Sequence, residues 1–439
     1  MKRVCVGLVG CGTVGTGVAR ILLENASLLK ARVGTEIHLK RVADIDFNRD
    51  RGIRFKKGVF VEDAFEVVDD PEIAIVIEMI GGQGVAKDLI LRAIRNGKHV
   101  VTANKALLAA QGNALFAAAF KNGVDLAFEA SVGGCMPVIK TLRESLVANR
   151  IQSMIGILNG TCNYILTRIT REGIPFPEAL AQAQAQGYAE ADPTLDVEGH
   201  DTAHKLAILS ALAYGMKINL KDIYVEGISG ITPLDIAFAR QFGYTVKLLA
   251  IGKNLGDRVE ARIHPTMIPE TNLLSSVSGA VNALMLTGDR VGDLMLYGYG
   301  AGMMPTASAV VADVVDLARN LLSGSRPLRV PGLSYQKNRI KALPVVPIGD
   351  IHTYYYFRFS ALDQPGVLSK IAGVLGKHGI SIQSVHQKGR KTNGSVPVVM
   401  LTHLAREKDV AAALSEIGAM EVVDAAPVLI RIEEEVPQS

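Results

Sequence analysis

The sequence has few of the features that define several classes of protein. It contains only four cysteines in 439 residues, Cys5, Cys11, Cys135 and Cys162. Their spacing matches no metal-binding motif, so we expect free, buried thiols in a reducing compartment. No apolar run approaches the ~20 residues that span a bilayer. The start, MKRVCVGLVGCGTVG, is interpreted as a first β-strand rather than a signal peptide, because it has a glycine pattern and no cleavage-like site.

The chain also lacks a large excess of charge. Its formal net charge is +4, and no basic run or aromatic-interleaved patch indicates nucleic-acid binding. We therefore expect a soluble cytoplasmic protein that binds neither nucleic acid nor membrane. The length permits roughly two to four domains.

Strand and helix patterns alternate in the first 135 residues. Short apolar runs predict buried strands, and the stretches between them have helical spacing. This alternation predicts a parallel, doubly wound sheet in an α/β fold of the Rossmann type. The stretches that carry the prediction are VCVGLV, TVGTGVARILLENA, EIHLKRVADID, AIVIEMIGG and GVAKDLILRAIRNG.

The rest of the chain has a different character. Residues 136–300 mix helix and strand patterns, which predicts an α+β domain, and the helix within 301–325 is predicted to return to residues 1–135. Residues 326–352 have four prolines and little periodicity and are interpreted as a linker. Residues 353–432 follow the order βαββαβ, which predicts a ferredoxin-like domain. The sheet edge of so small a domain is expected to be open to another subunit.

Three glycines follow the first strand in the pattern G-x-G-x-x-G. Gly10 permits a tight turn, Gly12 lets a pyrophosphate approach the backbone, and Gly15 lets the helix pack on the strand. Alone the pattern is weak and can be a structural turn. Here it ends a predicted strand and opens a predicted helix, as dinucleotide binding requires.

Asp44 is the acidic residue expected at the end of the second strand. A carboxylate there favours a free ribose 2′-hydroxyl and hence NAD. Basic side chains nearby could bind a 2′-phosphate or could be ordinary solvated surface. The residues therefore do not decide between NAD and NADP as the cofactor. These side chains are Lys40, Arg41, Arg49, Arg51 and Lys57.

A carboxylate-rich stretch, GYAEADPTLDVEGHDTAHKLAILSALAYG, leads into an apolar helix. Asp201 and Lys205 are four residues apart and share one helical face. They could form a surface ion pair contributing about 0.3–0.5 kcal/mol. The run that follows is apolar all round, so the helix is interior and the pair faces a cleft or buried site. Glu190 and Asp196 are predicted on a loop over this helix start, where they could hold an ammonium group.

These residues resemble the homoserine dehydrogenase family. The stretch above is similar to the family pattern D-P-x-x-D-[hydrophobic]-x-G-x-D-x-x-x-K. The segments GCGTVG, VTANKALLA, EASVGGCMP, ILNGTCNYIL and GAGMMPTASAVVAD also resemble family blocks, in the family's order. The resemblance covers residues 1–325 and implies reversible, NAD(P)-linked interconversion of L-aspartate 4-semialdehyde and L-homoserine, a step of threonine, methionine and isoleucine biosynthesis.

The resemblance also implies roles for individual residues. Lys205 would be the general acid in aldehyde reduction, Lys105 a second active-site lysine near nicotinamide and substrate, and Asp201 would orient Lys205. Substrate contacts are implied for Glu190, Asp196 and Thr161. Cofactor contacts are implied for Gly10, Gly12, Thr13, Val14, Gly15, Asp44, Lys105, Gly187 and Gly302. The family favours NADP over NAD.

A monovalent cation is implied as well. In the family, backbone carbonyls of the EASVGGCMP loop hold Na⁺ or K⁺, and a hard ion suits oxygen ligands on an irregular loop. The corresponding residues here are Glu129, Val132, Gly134 and Met136. Taken alone, the loop could be just a glycine-rich turn.

The C-terminal domain, with ALDQPGVLSKIAGVLGKHGISIQSV, resembles an ACT regulatory domain. This resemblance implies an inhibitory amino acid, with threonine expected, and a homodimer or homotetramer. N–H groups at the helix start after Gly366 could bind the carboxylate of the effector, and Asp363 its amine. The alternative is a module that only drives dimerisation.

Two other functions remain open from the residues. A nucleotide-sensing regulator would bind NAD(P) and an amino acid without turnover, although Glu190, Asp201 and Lys205 argue against it. A related dehydrogenase would act on a different amino-acid aldehyde or alcohol.

Overall fold

The protein is described from a computed structural model. The structure describes residues 3–325, 328–387, 389 and 394–434. Contacts between residues divide the chain into two compact units. The first unit contains the residues up to Gly160, Asp201–Lys221 and Val281–Leu343. The second unit contains Thr161–His200, Asp222–Ala280 and the residues from Pro344 on.

Helices and strands alternate along the chain as follows. The N-terminal part contains β1 (Arg3–Val9), α1 (Thr13–Glu24), α2 (Ala26–Val33), β2 (Glu36–Ala43), β3 (Phe60–Val61), α3 (Phe65–Asp69), β4 (Ile75–Glu78), α4 (Val85–Arg95), β5 (His99–Thr102), α5 (Lys105–Asn122), β6 (Leu126–Ala127), α6 (Val138–Lys140) and β7 (Ile151–Ile157). The middle contains α7 (Gly160–Glu172), α8 (Phe176–Ala185), α9 (Thr194–Val197), α10 (His200–Tyr214), β8 (Tyr224–Val225), α11 (Pro233–Gln241), β9 (Tyr244–Asn254), β10 (Val259–Pro269), β11 (Val281–Gly288), β12 (Gly292–Tyr299) and α12 (Met303–Leu322). The C-terminal part contains β13 (His352–Leu362), α13 (Val367–Lys377), β14 (Ile382–Gln387), β15 (Ser395–Thr402), β16 (Ala405–Arg406), α14 (Glu407–Gly418) and β17 (Val428–Ile432).

The first unit contains a six-stranded sheet in the order β3-β2-β1-β4-β5-β6. Each neighbouring pair is parallel. The strand order reverses between β1 and β4, so the switch point where α/β proteins bind nucleotides lies at the carboxyl ends of these two strands. Leu8, Ile77 and Val101 are fully buried in its core. The predicted Rossmann-type fold is confirmed.

Helix α12 packs in this core although it lies far along the chain. A Cβ atom on Gly17 of α1 would come within 3.0 Å of Ala307 on α12, so the glycine permits close helix–helix contact. Val310 and Val314 are fully buried in the same core. The first unit also contains the antiparallel strands β12-β11-β7. The four segment boundaries expected from sequence stay a prediction.

The second unit contains the βαββαβ order predicted for the C-terminal domain. Its antiparallel strands run in the order β17-β13-β15-β14, and Tyr355, Phe357 and Phe359 are fully buried beneath the helices. The expectation of an open sheet edge is wrong on one side, because β17 pairs in parallel with β10. The β14 edge has no partner strand within the described ranges.

All four cysteines are free. Cys5, Cys11 and Cys162 are buried as expected, whereas Cys135 is exposed, which corrects the prediction of four buried thiols. Cys135 directly follows Gly133 and Gly134 and lies on a loop. The sequence there has no strand or helix periodicity that would predict a buried side chain. Nowhere in the described part of the chain is a helix both long enough and apolar enough to cross a membrane.

Candidate active site

The three glycines of the loop between β1 and α1 have three different environments. Gly10 has φ +91°, and a Cβ there would lie 2.7 Å from the backbone nitrogen of Ile80. A Cβ on Gly15 would lie 2.0 Å from the carbonyl oxygen of Gly10. A Cβ on Gly12 would meet nothing within 4 Å. Gly10 and Gly15 are therefore required by the fold, whereas Gly12 adjoins open space.

Helix α1 begins directly after this open space. Gly12 is its N-cap and supplies no side-chain hydrogen bond. The N–H groups of the first turn, which begins with Thr13 and Val14, therefore face no side-chain cap. Such N–H groups and the helix dipole favour an anion such as a pyrophosphate.

Asp44, which follows β2, contacts the glycine loop. Its Oδ2 accepts a hydrogen bond from the backbone N–H of Cys11 at 2.6 Å, and its Oδ1 accepts from the N–H of Asp46 at 2.9 Å. The guanidinium of Arg51 lies 3.5 Å from Asp44 and is buried. Both carboxylate oxygens of Asp44 therefore already have backbone partners.

The other basic side chains near β2 have different positions. Arg49 is exposed and donates to the hydroxyl of Thr13 at 3.2 Å, which places it beside the start of α1. Lys40 and Arg41 instead form ion pairs with Asp70 at 2.8 and 3.0 Å. Of these three, Arg49 is the cation adjacent to the glycine loop.

Lys105 is the first residue of α5, just beyond β5. Asn104 caps this helix by accepting a hydrogen bond from the N–H of Leu107. The turn is held to β4 by Glu78, a buried carboxylate that accepts from the hydroxyl of Thr102 at 2.6 Å. Glu78 also accepts from the backbone N–H groups of Ile80 and Gly81. The start of α5 is thus fixed at the carboxyl edge of the sheet.

Asp201 joins two lysines at the start of α10. The ammonium of Lys205 donates to Asp201 Oδ2 at 2.6 Å, and the ammonium of Lys105 lies 3.2 Å from Asp201 Oδ1. Lys205 also donates to the carbonyl oxygen of Leu158 at 2.6 Å, and Asn159 donates to Asp201 at 3.0 Å. Three segments of sequence, at Lys105, residues 158–159 and residues 201–205, therefore converge on one carboxylate and two cations.

The two lysines differ in exposure. The side chain of Lys205 is 8% exposed and that of Lys105 is 37% exposed. Burial would raise the pKa of Asp201, but the charges of Lys205 and Lys105 and the hydrogen bonds from Lys205 and Asn159 outweigh burial and hold that pKa well below its usual range. Asp201 is therefore an anion at neutral pH. An ammonium has three N–H donors, and Lys205 uses two of them.

The remaining predicted substrate residues lie in the second unit. Thr161, at the start of α7, donates to the carbonyl oxygen of Tyr188 at 2.6 Å and lies 3.3 Å from Asp196 Oδ2. Glu190 is exposed, and its carbonyl oxygen accepts from Gln184. Asp196 lies in α9 rather than on the predicted loop, because Pro193 and Thr194 begin a short helical turn.

Three glycines predicted at binding positions lie at turns. Gly187 follows α8 in the second unit with φ +74°, and Gly302 is the N-cap of α12 in the first unit with φ +126°. Gly366 is the N-cap of α13, has φ +88° and supplies no side-chain cap. Near it, the backbone N–H of Asp363 donates to the carbonyl oxygen of Gly394 at 3.1 Å. The start of α13 is thus available to an anion.

The loop predicted to hold a cation surrounds a buried carboxylate. The side chain of Glu129 accepts from the backbone N–H groups of Ile139 and Lys140 at 2.8 and 2.9 Å. Its own N–H donates to Asp313 at 2.8 Å. Burial and the neighbouring Asp313 raise the pKa of Glu129 to about 7, and burial raises that of Asp313 to about 6, against the opposing charge of Lys140.

The carbonyl groups of the same loop have different partners. The carbonyl oxygens of Glu129 and Met136 accept backbone hydrogen bonds from Val132 and Val138 at 3.5 and 2.8 Å. No backbone donor to the carbonyl of Val132 or Gly134 is found among the described loop residues. A Cβ on Gly134, whose φ is +57°, would lie 2.6 Å from the carbonyl oxygen of Tyr299. No cluster of three His, Cys, Asp or Glu side chains that could hold a metal occurs within the described ranges.

Comparisons with known proteins assign a family. Family models match residues 137–315 (homoserine dehydrogenase), 10–129 (homoserine dehydrogenase, NAD binding domain) and 355–422 (ACT domain). A homoserine dehydrogenase from Neisseria gonorrhoeae is 45% identical over 433 residues, which cover 99% of both chains. The chain belongs to the homoserine dehydrogenase family. The resemblance found in the sequence motifs is thereby confirmed.

Solved structures of homoserine dehydrogenases share the fold. The enzyme from Thiobacillus denitrificans is 45% identical, has a TM-score of 0.93, and the match covers 99% of each chain. A hyperthermophilic archaeal homoserine dehydrogenase in complex with NADPH is 24% identical with a TM-score of 0.62, covering 74% of this chain and 99% of that one. The archaeal likeness shows the fold alone.

Three contributors to this candidate site could not be predicted from the sequence. Glu78 contacts Thr102, which is 24 residues away in the chain. Asn159 contacts Asp201, 42 residues away, and the carbonyl group of Leu158 contacts Lys205, 47 residues away. Leu158 and Asn159 lie in the ILNG segment, which resembles a family block. The resemblance does not specify which distant residues this segment contacts. For Glu78, a carboxylate ending the apolar run AIVIE was the available signal.

Proposed function

We propose that this chain catalyses the reversible interconversion of L-aspartate 4-semialdehyde and L-homoserine with a nicotinamide cofactor. The observation that carries the proposal is the cluster in which Asp201 joins Lys105 and Lys205. A buried, charged lysine beside a carboxylate suits a reaction that develops negative charge on a carbonyl oxygen. Membership of the homoserine dehydrogenase family supports the substrate.

In aldehyde reduction, a bound reduced nicotinamide supplies a hydride to the aldehyde carbon. As the carbon–oxygen double bond becomes a single bond, Lys205 gives a proton to the oxygen, and the alcohol forms. Lys205 is the proposed donor because Asp201 and the carbonyl of Leu158 fix its ammonium and leave one N–H unused. In the reverse direction, neutral Lys205 takes the proton of the alcohol.

Asp201 and Lys105 are positioned to assist this proton transfer. Asp201 orients the ammonium of Lys205, and Lys105 adds positive charge beside it, as the 3.2 Å ion pair supports. Thr161, Glu190 and Asp196 remain assigned to substrate binding by the family motif, with the Thr161–Asp196 contact as support.

The direct test is an assay of the purified chain with L-aspartate 4-semialdehyde and NADPH or NADH, followed by nicotinamide absorbance. We expect substrate-dependent oxidation of the cofactor and production of homoserine. Cofactor binding without turnover would favour a nucleotide-sensing regulator. Turnover of other amino-acid aldehydes with higher kcat/KM would assign a related dehydrogenase.

We further propose that the cofactor is held by Gly10, Gly12, Thr13, Val14 and Gly15, with NADP preferred. Both carboxylate oxygens of Asp44 have backbone partners, and the exposed guanidinium of Arg49 lies beside Thr13. A guanidinium suits a 2′-phosphate. The NADPH bound by the archaeal relative is consistent with this choice. Gly187 and Gly302 stay assigned to the cofactor by the family motif.

The preference is tested by comparing kcat/KM for NADPH and NADH. We expect Arg49→Ala to lower kcat/KM for NADPH several-fold and leave that for NADH nearly unchanged. The matched control is Lys57→Ala, another exposed cation after β2. An equal loss of kcat/KM with both cofactors would show that Arg49 does not recognise the 2′-phosphate.

We also propose a monovalent cation at the backbone carbonyls of Glu129, Val132, Gly134 and Met136. Hard oxygen donors on an irregular loop suit Na⁺ or K⁺, and the Val132 and Gly134 carbonyls have no backbone donor among the described loop residues. The carboxylate of Glu129 is already bound by two N–H groups, so the site would use its carbonyl. A thermal melt in sodium or potassium chloride against choline chloride tests the site, and equal melting temperatures would reject it.

The C-terminal domain is proposed to bind an inhibitory amino acid, with threonine expected, and to pair through β14 with a second subunit. The left-handed Gly366 opens α13 without a side-chain cap, and the β14 edge has no partner strand in the described part of the chain. Because β17 is paired with β10, deletion of the domain would expose that strand, so a point variant is the better test.

Threonine inhibition of the full chain is therefore compared with that of Asp363→Asn. We expect the variant to need a higher threonine concentration for half-inhibition at unchanged uninhibited kcat. The control is Asp409→Asn, in the first turn of α14. A wild-type enzyme insensitive to threonine and to other aspartate-derived amino acids would reject regulation by this domain.

A further inference from the structure

A polar cavity of about 340 Å³ lies within the second unit, and its lining includes none of the residues assigned to catalysis. Its wall is built from α7, the end of α11, strand β9 and the segment after β10. Three cationic side chains line it, Arg171, Arg240 and Lys247, with one carboxylate, Glu270. Its volume is within the range of small-molecule sites.

Lys247 is the unusual member of this wall. It is only 3% exposed, and its ammonium donates to the carbonyl oxygen of Val277 and, at 3.3 Å, to Asn163 Oδ1. Both acceptors are neutral. No carboxylate among the described residues forms an ion pair with it. A buried ammonium without a counter-charge is costly, and one of its three N–H donors is unused.

The neighbouring arginines increase the positive charge. Arg171 is exposed, and no ion pair or hydrogen bond of its side chain occurs among the described residues. Arg240 makes one long hydrogen bond, 3.5 Å, to the carbonyl oxygen of Thr170. Burial and the charge of Arg171 lower the pKa of Lys247 to about 8. An anion in the cavity would relieve the cost that this cluster otherwise carries.

We propose that this cavity binds a small oxyanion, a phosphate or carboxylate group, through Lys247, Arg171 and Arg240. Lys247 would bind from the buried end, and the two exposed arginines would close on the anion from the solvent side. Guanidinium and ammonium groups form charge-assisted hydrogen bonds with such oxygens. A purely structural lysine is the competing explanation, because its two hydrogen bonds already join β9 to α7 and to the segment after β10.

The test is calorimetric titration of the full chain with inorganic phosphate and, separately, with acetate. Arg171→Gln and Arg240→Gln are expected to raise Kd about tenfold or more, whereas the control Arg258→Gln, an exposed arginine before β10, leaves it unchanged. Binding of phosphate but not acetate assigns a phosphate group, and the reverse assigns a carboxylate.

Two results would overturn the proposal. One is the absence of binding of either anion up to ~10 mM. The other is binding that persists in both arginine variants, which would place the anion elsewhere, for example at the glycine loop. A second measurement uses Lys247→Met, whose melting temperature should not respond to phosphate while that of the wild type rises. An equal rise in both proteins would contradict a role for Lys247.

Discussion

Lys205 in the first unit and Lys247 in the second have similar local contacts but different charge surroundings. Each is buried and donates to a main-chain carbonyl and to one side-chain oxygen. For Lys205 that side-chain oxygen belongs to the carboxylate of Asp201, and for Lys247 it belongs to the neutral amide of Asn163. The first arrangement pairs a cation with a carboxylate that orients it for the proposed proton transfer, and the second leaves a cation that an anionic ligand would satisfy.

The buried carboxylates Asp201 and Glu129 also differ in their charge surroundings. Asp201 has two lysines, and its pKa lies well below the usual range. Glu129 accepts from two backbone N–H groups, and burial together with the like charge of Asp313 raises its pKa to about 7. The two buried carboxylates therefore differ in protonation because two lysine ammonium groups lie beside Asp201, whereas burial and the neighbouring Asp313 dominate at Glu129.

The largest effect is expected for Lys205→Ala. Loss of the proposed proton donor should lower kcat by ~10²-fold or more, about 2.7 kcal/mol in activation free energy, with cofactor affinity retained. The control is Lys217→Ala, an exposed lysine shortly after α10. Steady-state kinetics and a cofactor titration provide both values, and a folded Lys205→Ala protein with near-normal kcat would refute the assignment.

Glu129→Gln is expected to flatten the dependence of stability on pH. Since the folded pKa of about 7 exceeds the ordinary 4.5, the stability that protonated Glu129 contributes is fully present below pH 4.5. It is lost as pH rises through 7. The wild type should therefore lose on the order of 2–3 kcal/mol more than the variant between those limits. Chemical denaturation at pH 5 and 7.5 measures this difference, and parallel curves would count against the raised pKa.

Substitutions in the glycine loop should change cofactor binding without changing proton transfer. Gly12→Val places its side chain in open space, so the fold is retained while the pyrophosphate is blocked, and we expect Kd for the cofactor to rise at least tenfold, about 1.4 kcal/mol. Gly15→Val would clash with the carbonyl of Gly10 and should destabilise the protein. Unchanged affinity of Gly12→Val in a calorimetric titration would exclude this mode of binding.

The residues predictable from sequence are those whose contacts are local. Gly10, Gly12 and Gly15 act within six residues, and Asp201 and Lys205 lie one helical turn apart, so spacing alone indicated their arrangement. The alternation of strands and helices likewise predicted the Rossmann-type sheet, and βαββαβ predicted the C-terminal domain.

Features that depend on distant segments were not predictable in this way. Asn159 reaches Asp201 across 42 residues, and β17 pairs with β10, which lies far upstream. Lys247 sits inside the strand pattern YTVKLLAIGKN, where nothing distinguishes it from a solvated lysine. Its significance comes from α7 and α11, whose packing against β9 the sequence pattern does not specify.

Asp201 and Lys205 are proposed to act as one unit in proton transfer. The direct measurement is kcat for Lys205→Ala, Asp201→Asn and the double variant. If Asp201 works through Lys205, Asp201→Asn alone should lower kcat at least about tenfold, and the double variant should fall within about threefold of Lys205→Ala. If the losses of the two single variants multiply in the double variant, Asp201 and Lys205 act independently and the proposed coupling is wrong.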